Sequence, residues 1–103
     1  MAIDPNSGSV INLTQAVAYV TAFRQRYPSE LKGFFVGSNK AELILNQPDC
    51  IGIRIYNGYD EVTNKTNLVL VGVDRNCKDM TSGVILERLM PCPTNCDVTS
   101  ALF

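Results

Sequence analysis

The sequence predicts an α+β fold from three observations. Apolar residues recur at three- and four-residue steps early in the chain, the apolar period falls to two from Ile51 onward, and Leu68–Val73 is apolar on both faces. Together they describe two N-terminal helices packed on a small antiparallel β-meander, closed by an irregular Cys-containing C-terminal strap. At 103 residues the chain is the size of one typical domain, so residues 10–103 are read as a single α+β domain. Residues 1–9 are read as a leader outside it, because Asp4-Pro5-Asn6-Ser7-Gly8-Ser9 has the form of translated cloning sites and carries no apolar period.

The first helix is expected over Asn12–Tyr27. Asn12 followed by Gln15 has the form of a capping pair, in which each side chain satisfies an amide that the helix start leaves unpaired. Leu13, Ala16, Val17, Val20, Phe23 and Tyr27 form one apolar stripe. Pro28 ends the helix by disfavouring the helical conformation at the residue before it. Phe34-Phe35-Val36 reads as a short extended piece, and Ser38 can cap a second helix over Lys40–Asn46, closed by Gln47-Pro48-Asp49.

In the first strand of the meander Ile51, Ile53 and Ile55 alternate with Gly52, Arg54 and Tyr56, a half-buried pattern. Asn57-Gly58 and the polar run Asp60–Thr66 read as a loop, and Leu68–Val73 as the central strand. Asp74-Arg75-Asn76 is turn chemistry, and Val84–Leu89 a third strand. After Pro91 no period is present, which gives the strap. No internal repeat or low-complexity segment occurs.

Composition excludes several functions. Nine Lys and Arg against ten Asp and Glu give a net charge of −1 with the basic residues scattered. A nucleic-acid footprint needs a clustered positive excess, so no nucleic acid is expected. No apolar run approaches the ~18 residues of a membrane span, so no membrane partner is expected and the protein is read as soluble and cytoplasmic. The chain has no His, which removes the commonest general base, the commonest metal ligand and any Ser-His or Cys-His pair. Its glycines form no phosphate-cradling loop. The reading therefore leans against an enzyme and assigns no catalytic residue and no cofactor.

The four cysteines, Cys50, Cys77, Cys92 and Cys96, are the most distinctive feature. Cys92 and Cys96 have a spacing compatible with a local disulfide, with two zinc ligands, or with reduced thiols acting as small hydrophobes. Cys50 at the entrance to the first strand and Cys77 after the second are placed toward opposite strand ends, away from a shared four-ligand site. Asp74-x-Asn76-x-x-Asp79 has the outline of a calcium loop, but Lys78 stands at a ligand position and the distal Glu is missing, so it reads as a polar turn. Arg54, Tyr56, Tyr59, Asp60 and Glu61 form a candidate ligand or partner patch at one end of the first two strands, weighed against a plain solvated face.

Gly52-Ile53-Arg54-Ile55-Tyr56-Asn57-Gly58-Tyr59-Asp60, then Leu68-Val69-Leu70-Val71-Gly72-Val73-Asp74, then Cys92-Pro93-Thr94-Asn95-Cys96 resembles a pattern of small bacterial proteins, chiefly of Bacteroidota type. The resemblance covers roughly the last half of the chain and implies a bacterial origin. It brings no activity, cofactor or catalytic residue, and it makes the CPxxC segment look like a family feature. The expected function is a non-enzymatic binding or protein-interaction module, self-associating as a homodimer through an edge strand such as Val84–Leu89, or binding another protein or a small ligand. The alternative is a cysteine-based metal or redox protein using Cys92 and Cys96. An enzyme using carboxylates such as Asp74, Asp79 or Glu87 is the third reading.

Overall fold

The computed structural model describes residues 3–92 and 96–103. Residues 93–95, inside the expected strap, lie outside the described residues, as do the first two of the leader. The element order is α1 (Leu13–Arg26), β1 (Gly33–Phe35), α2 (Ser38–Leu45), β2 (Cys50–Asp60), β3 (Lys65–Asp74), β4 (Ile85–Leu86) and β5 (Met90–Cys92). The class is α+β, with two helices and antiparallel strands in two small sheets, β2-β3-β4 and β1-β5. No helix among the described residues is long and apolar enough to cross a membrane. The chain folds into two compact units, each described by itself: one holds residues up to Ser7 and Val36–Leu89, the other Gly8–Phe35 and Met90–Phe103.

In the first unit β2 and β3 form a long hairpin, with Gly52 to Asp60 pairing in continuous register with Val73 to Lys65 and a register shift between Cys50 and Gly52. Asn57-Gly58 therefore lies inside the strand, not in a loop. The turn comes later, at residues 61–64, where Asp60 Oδ1 accepts the Val62 amide at 2.9 Å and Asn64 takes φ 56°, a left-handed conformation that Asn tolerates. A Cβ at Gly58 would meet the tip of the facing Asn67 side chain, which would have to turn aside to admit it.

Period two puts Arg54, Tyr56 and Gly58 on one face of this sheet with Val71, Val69 and Asn67, and Ile53, Ile55 and Tyr59 on the other with Gly72, Leu70 and Thr66. α2 covers the second face. A Cβ at Gly72 would meet Ile44 Cγ2 at 3.2 Å and Cys50 Sγ at 3.2 Å, so the missing side chain lets helix and sheet approach. The core is Ile44, Leu70, Val71 and Val73. Full burial of an aliphatic side chain of this size contributes about 1.5–3 kcal/mol. Gln47 ties the end of α2 to the third strand by donating from Nε2 to Ile44 O at 2.9 Å and accepting the Val84 amide at 2.9 Å.

β2 and β3 run past the expected Ile51–Tyr56 and Leu68–Val73 at both ends, and two further boundaries differ from expectation. α2 starts at Ser38 with Gly37 as its cap residue, and no side chain caps it. The third strand shrinks from Val84–Leu89 to Ile85–Leu86, paired with Val71 and Leu70. Arg88 takes φ 61°, a left-handed backbone that cannot continue a strand.

In the second unit the Asn12–Gln15 capping box forms as the sequence predicts, with Asn12 Oδ1 accepting the Gln15 amide at 2.8 Å and Gln15 Oε1 accepting the Asn12 amide at 3.2 Å. Part of the strap is a strand: Met90, Pro91 and Cys92 pair with Phe35, Phe34 and Gly33. The C-terminal residues are held by Arg24 Nη2 donating to Leu102 O at 2.7 Å and by Lys32 Nζ standing 3.9 Å over the Phe103 ring. No residue of α1 is buried.

Candidate functional site

Of the five patch residues, the structure brings Arg54 and Tyr56 together and separates the rest. Residues two apart on a strand share a face, and here that face meets Asp79 from the β3–β4 connection. Arg54 Nη1 donates to Asp79 Oδ1 at 2.5 Å and the Tyr56 hydroxyl donates to Asp79 Oδ2. The carboxylate thus spans a guanidinium and a phenol. Accepting from Tyr56 and pairing with Arg54 hold the Asp79 carboxyl below the usual carboxylate range. The hydrogen bond to Asp79 raises both the Arg54 and the Tyr56 pKa.

Asp60 sits at the end of β2 and serves the turn, with the Val62 amide first among the groups that lower its pKa. Glu61 lies in the turn itself. Tyr59 projects from the opposite face of the sheet and is 59% exposed. The functional partner that the sequence reading did not join to this patch is Asp79, because nothing in spacing links residue 79 to residue 54. The available signal was its place in the acidic turn. There Asp74 Oδ1 accepts the amides of Asn76 at 2.9 Å and Lys78 at 3.1 Å, which makes the segment a polar turn and leaves Asp79 for the sheet.

Chemically, the Arg54–Asp79–Tyr56 set is a tie: the Tyr56 hydroxyl and one Arg54 nitrogen, Nη1, are committed to the carboxylate of the β3–β4 connection. More open to a partner is the outer edge of β2. The sheet order is β2-β3-β4, so among the described residues no strand pairs with that edge. Ile55 at 59%, Tyr56 at 45% and Tyr59 at 59% exposure stand along it. A cleft of ≈ 380 Å³ separates Ile3–Ser7 from the Ile51–Ile55 part of the same strand.

Cys92 and Cys96 are joined as a disulfide, with a Cα–Cα separation of 4.9 Å, inside the range a disulfide spans. They line a cleft of ≈ 220 Å³ with Phe34, Leu102 and Phe103. Cys50 and Cys77 are free thiols. They do not lie toward opposite strand ends: Cys50 pairs with Asp74, so the entrance to β2 and the exit from β3 are the same end of the hairpin, as antiparallel pairing demands. Among the described residues no three Cys, Asp or Glu side chains converge as metal ligands. No protein-family model, curated protein or solved structure matches the chain.

Proposed function

We propose that this protein is a non-enzymatic interaction module that binds an extended segment along the outer edge of β2. One observation carries the reading: an 11-residue strand at the sheet edge with exposed Ile55, Tyr56 and Tyr59 along it. An edge strand presents a row of backbone donors and acceptors, and pairing with an added strand satisfies them while side-chain positions set specificity. The bacterial origin and cytoplasmic location suggested by the sequence belong to the same proposal and add no mechanism to it. Hydrogen exchange of the β2 amides tests it, measured at rising protein concentration and against a panel of extended peptides. Protection should rise at residues 54–60. If no partner in either series raises it there, the reading falls.

A second reading rests on the Cys92–Cys96 bond: a redox clasp that an external dithiol opens. Two electrons and two protons pass from the dithiol to the pair, giving two cysteine thiols and the oxidised reductant. In a reducing cytoplasm the pair is then open, and in an oxidising compartment closed. Thiol counting on denatured protein before and after reduction checks it, and an unchanged count removes it.

A further inference from the structure

We infer that the strand β2 receives is β2 of a second copy of this chain, paired antiparallel about a two-fold axis at Asn57. The inference rests on the reading above, that the β2 edge is the binding surface, and names its occupant. Edges that stay single are usually blunted by Lys, Pro or a bulge. From Ile53 to Asp60 the strand carries neither Lys nor Pro, and its register shift falls at Cys50/Gly52, outside that stretch.

The occupant follows from self-complementarity. With Asn57 on the axis, Arg54 stands opposite Asp60 of the second copy on one face of the joined sheet. Ile55 stands opposite Tyr59 of the second copy on the other, and symmetry makes each pair twice. Opposite charges and aromatic against β-branched side chains are the cross-strand pairs that stabilise antiparallel ladders.

Neighbouring registers lose these pairs. An axis at Ile55 sets Arg54 opposite Tyr56 and Asp60 opposite Cys50, and an axis at Tyr56 sets both charges opposite glycines. The groups needed are present: Arg54 uses Nη1 on Asp79 and has further N–H donors, while Asp60 accepts the Val62 and Thr63 amides on Oδ1 and a hydrogen bond from the Thr63 side chain, and a carboxylate has four lone-pair sites to share among its partners. Ile3–Ser7 line a cleft with Ile51–Ile55 of β2, so pairing over residues 54–60 meets the rim of that cleft at Arg54 and Ile55 and leaves residues 56–60 clear of it.

The product is a six-stranded sheet, two β2-β3-β4 sheets joined edge to edge, an isologous two-fold dimer. Sedimentation equilibrium on the full chain should give twice the 11.3 kDa monomer mass. Asn57→Cys in a Cys77→Ser background should cross-link to its own copy under mild oxidation, because the axial residue faces itself. Tyr59→Cys should cross-link only when mixed with Ile55→Cys. Asp60→Arg, which sets like charges opposite each other, should return the protein to the monomer mass. Monomer mass across the micromolar range together with no Asn57→Cys cross-link overturns the self-pairing. If the amides of residues 54–60 still gain protection with an extended peptide, the edge reading survives that result, and if they do not, both fall. A dimer that cross-links through another position overturns the register.

Discussion

The two units of this molecule reach order by different means. The first closes over Ile44, Leu70, Val71 and Val73, all at 3% exposure or less, and the hydrophobic term does most of the work. The second buries no described residue. It relies on ties: a helix capping box, a three-residue strand pair, one disulfide, Arg24 on the Leu102 carbonyl and Lys32 over Phe103. Burial is spread over many contacts and fails cooperatively. Ties are local and can be cut singly, and segments with few buried contacts open at low free-energy cost. The comparison teaches that a high apolar content does not guarantee a dry core everywhere, since Leu13, Tyr19 and Phe23 of α1 and its C-cap residue Tyr27 are all more than 40% exposed.

The largest break in this comparison comes from charging the core. Leu70→Asp puts an unpaired carboxylate at a site 3% exposed, between Ile55 and Leu86, which costs several kcal/mol against a total stability of about 5–15 kcal/mol. The first unit should unfold, read by loss of dispersed amide signals from residues 50–74. Val20→Asp on α1, at a half-buried position, should cost far less, because its charge keeps water. Equal losses would erase the distinction between the units.

Next in size is the disulfide. Closing so short a loop restricts the unfolded chain by about 2 kcal/mol in the chain-entropy account. Cys92→Ser with Cys96→Ser should therefore weaken β1–β5 pairing, seen as faster amide exchange at Lys32, whose N–H bonds Cys92 O at 2.9 Å. The β2–β3 amides should not change. A smaller effect comes from Asn12→Ala, which removes an N-cap side chain worth about 1 kcal/mol. It should lower helical ellipticity while leaving the hairpin intact.

What the sequence made legible follows the same division of causes. The capping box could be read because Asn12 and Gln15 sit within one turn and need no other element. The alternation of Ile51, Ile53 and Ile55 and the apolar run Leu68–Val73 located β2 and β3 because period two is a property of the strand itself. Asn57-Gly58 misled because that dipeptide is a strong hairpin-turn signal. It is overridden here by continuous pairing with Asn67 and Leu68. The truncation of β4 depends on a left-handed Arg88 that no residue-type preference announces. At the candidate site, Arg54 and Tyr56 were visible as neighbours on one face, but Asp79 reaches them across 23 and 25 residues of sequence. Only the fold of the β3–β4 connection joins them.

That join gives the smallest effect, and it is read by titration. Asp79 is held below the ordinary carboxylate range by Tyr56 and Arg54, so its contribution is present above the ordinary Asp value of about 3.9 and is lost as pH falls through the lowered folded value. Tyr56 shifts the other way: its hydrogen bond to Asp79 favours the protonated phenol. Its contribution is complete below the ordinary tyrosine value of about 10 and is lost as pH rises through the raised folded one. Between those limits the tie should be insensitive to pH. Asp79→Asn keeps the shape, removes the charge and should bring the Tyr56 midpoint down toward its ordinary value, followed by the ring carbon shift in a pH series. Arg54→Gln tests the other arm of the tie. Arg54 opposes the rise at Tyr56, so its loss should move the midpoint further up, provided that Asp79 stays in place. A Tyr56 midpoint that ignores Asp79→Asn would show that the carboxylate does not hold the phenol, and that the β3–β4 connection is fixed to the sheet by its backbone bonds, Met80 N–H to Gly72 O and Asp74 N–H to Lys78 O, without the side-chain tie.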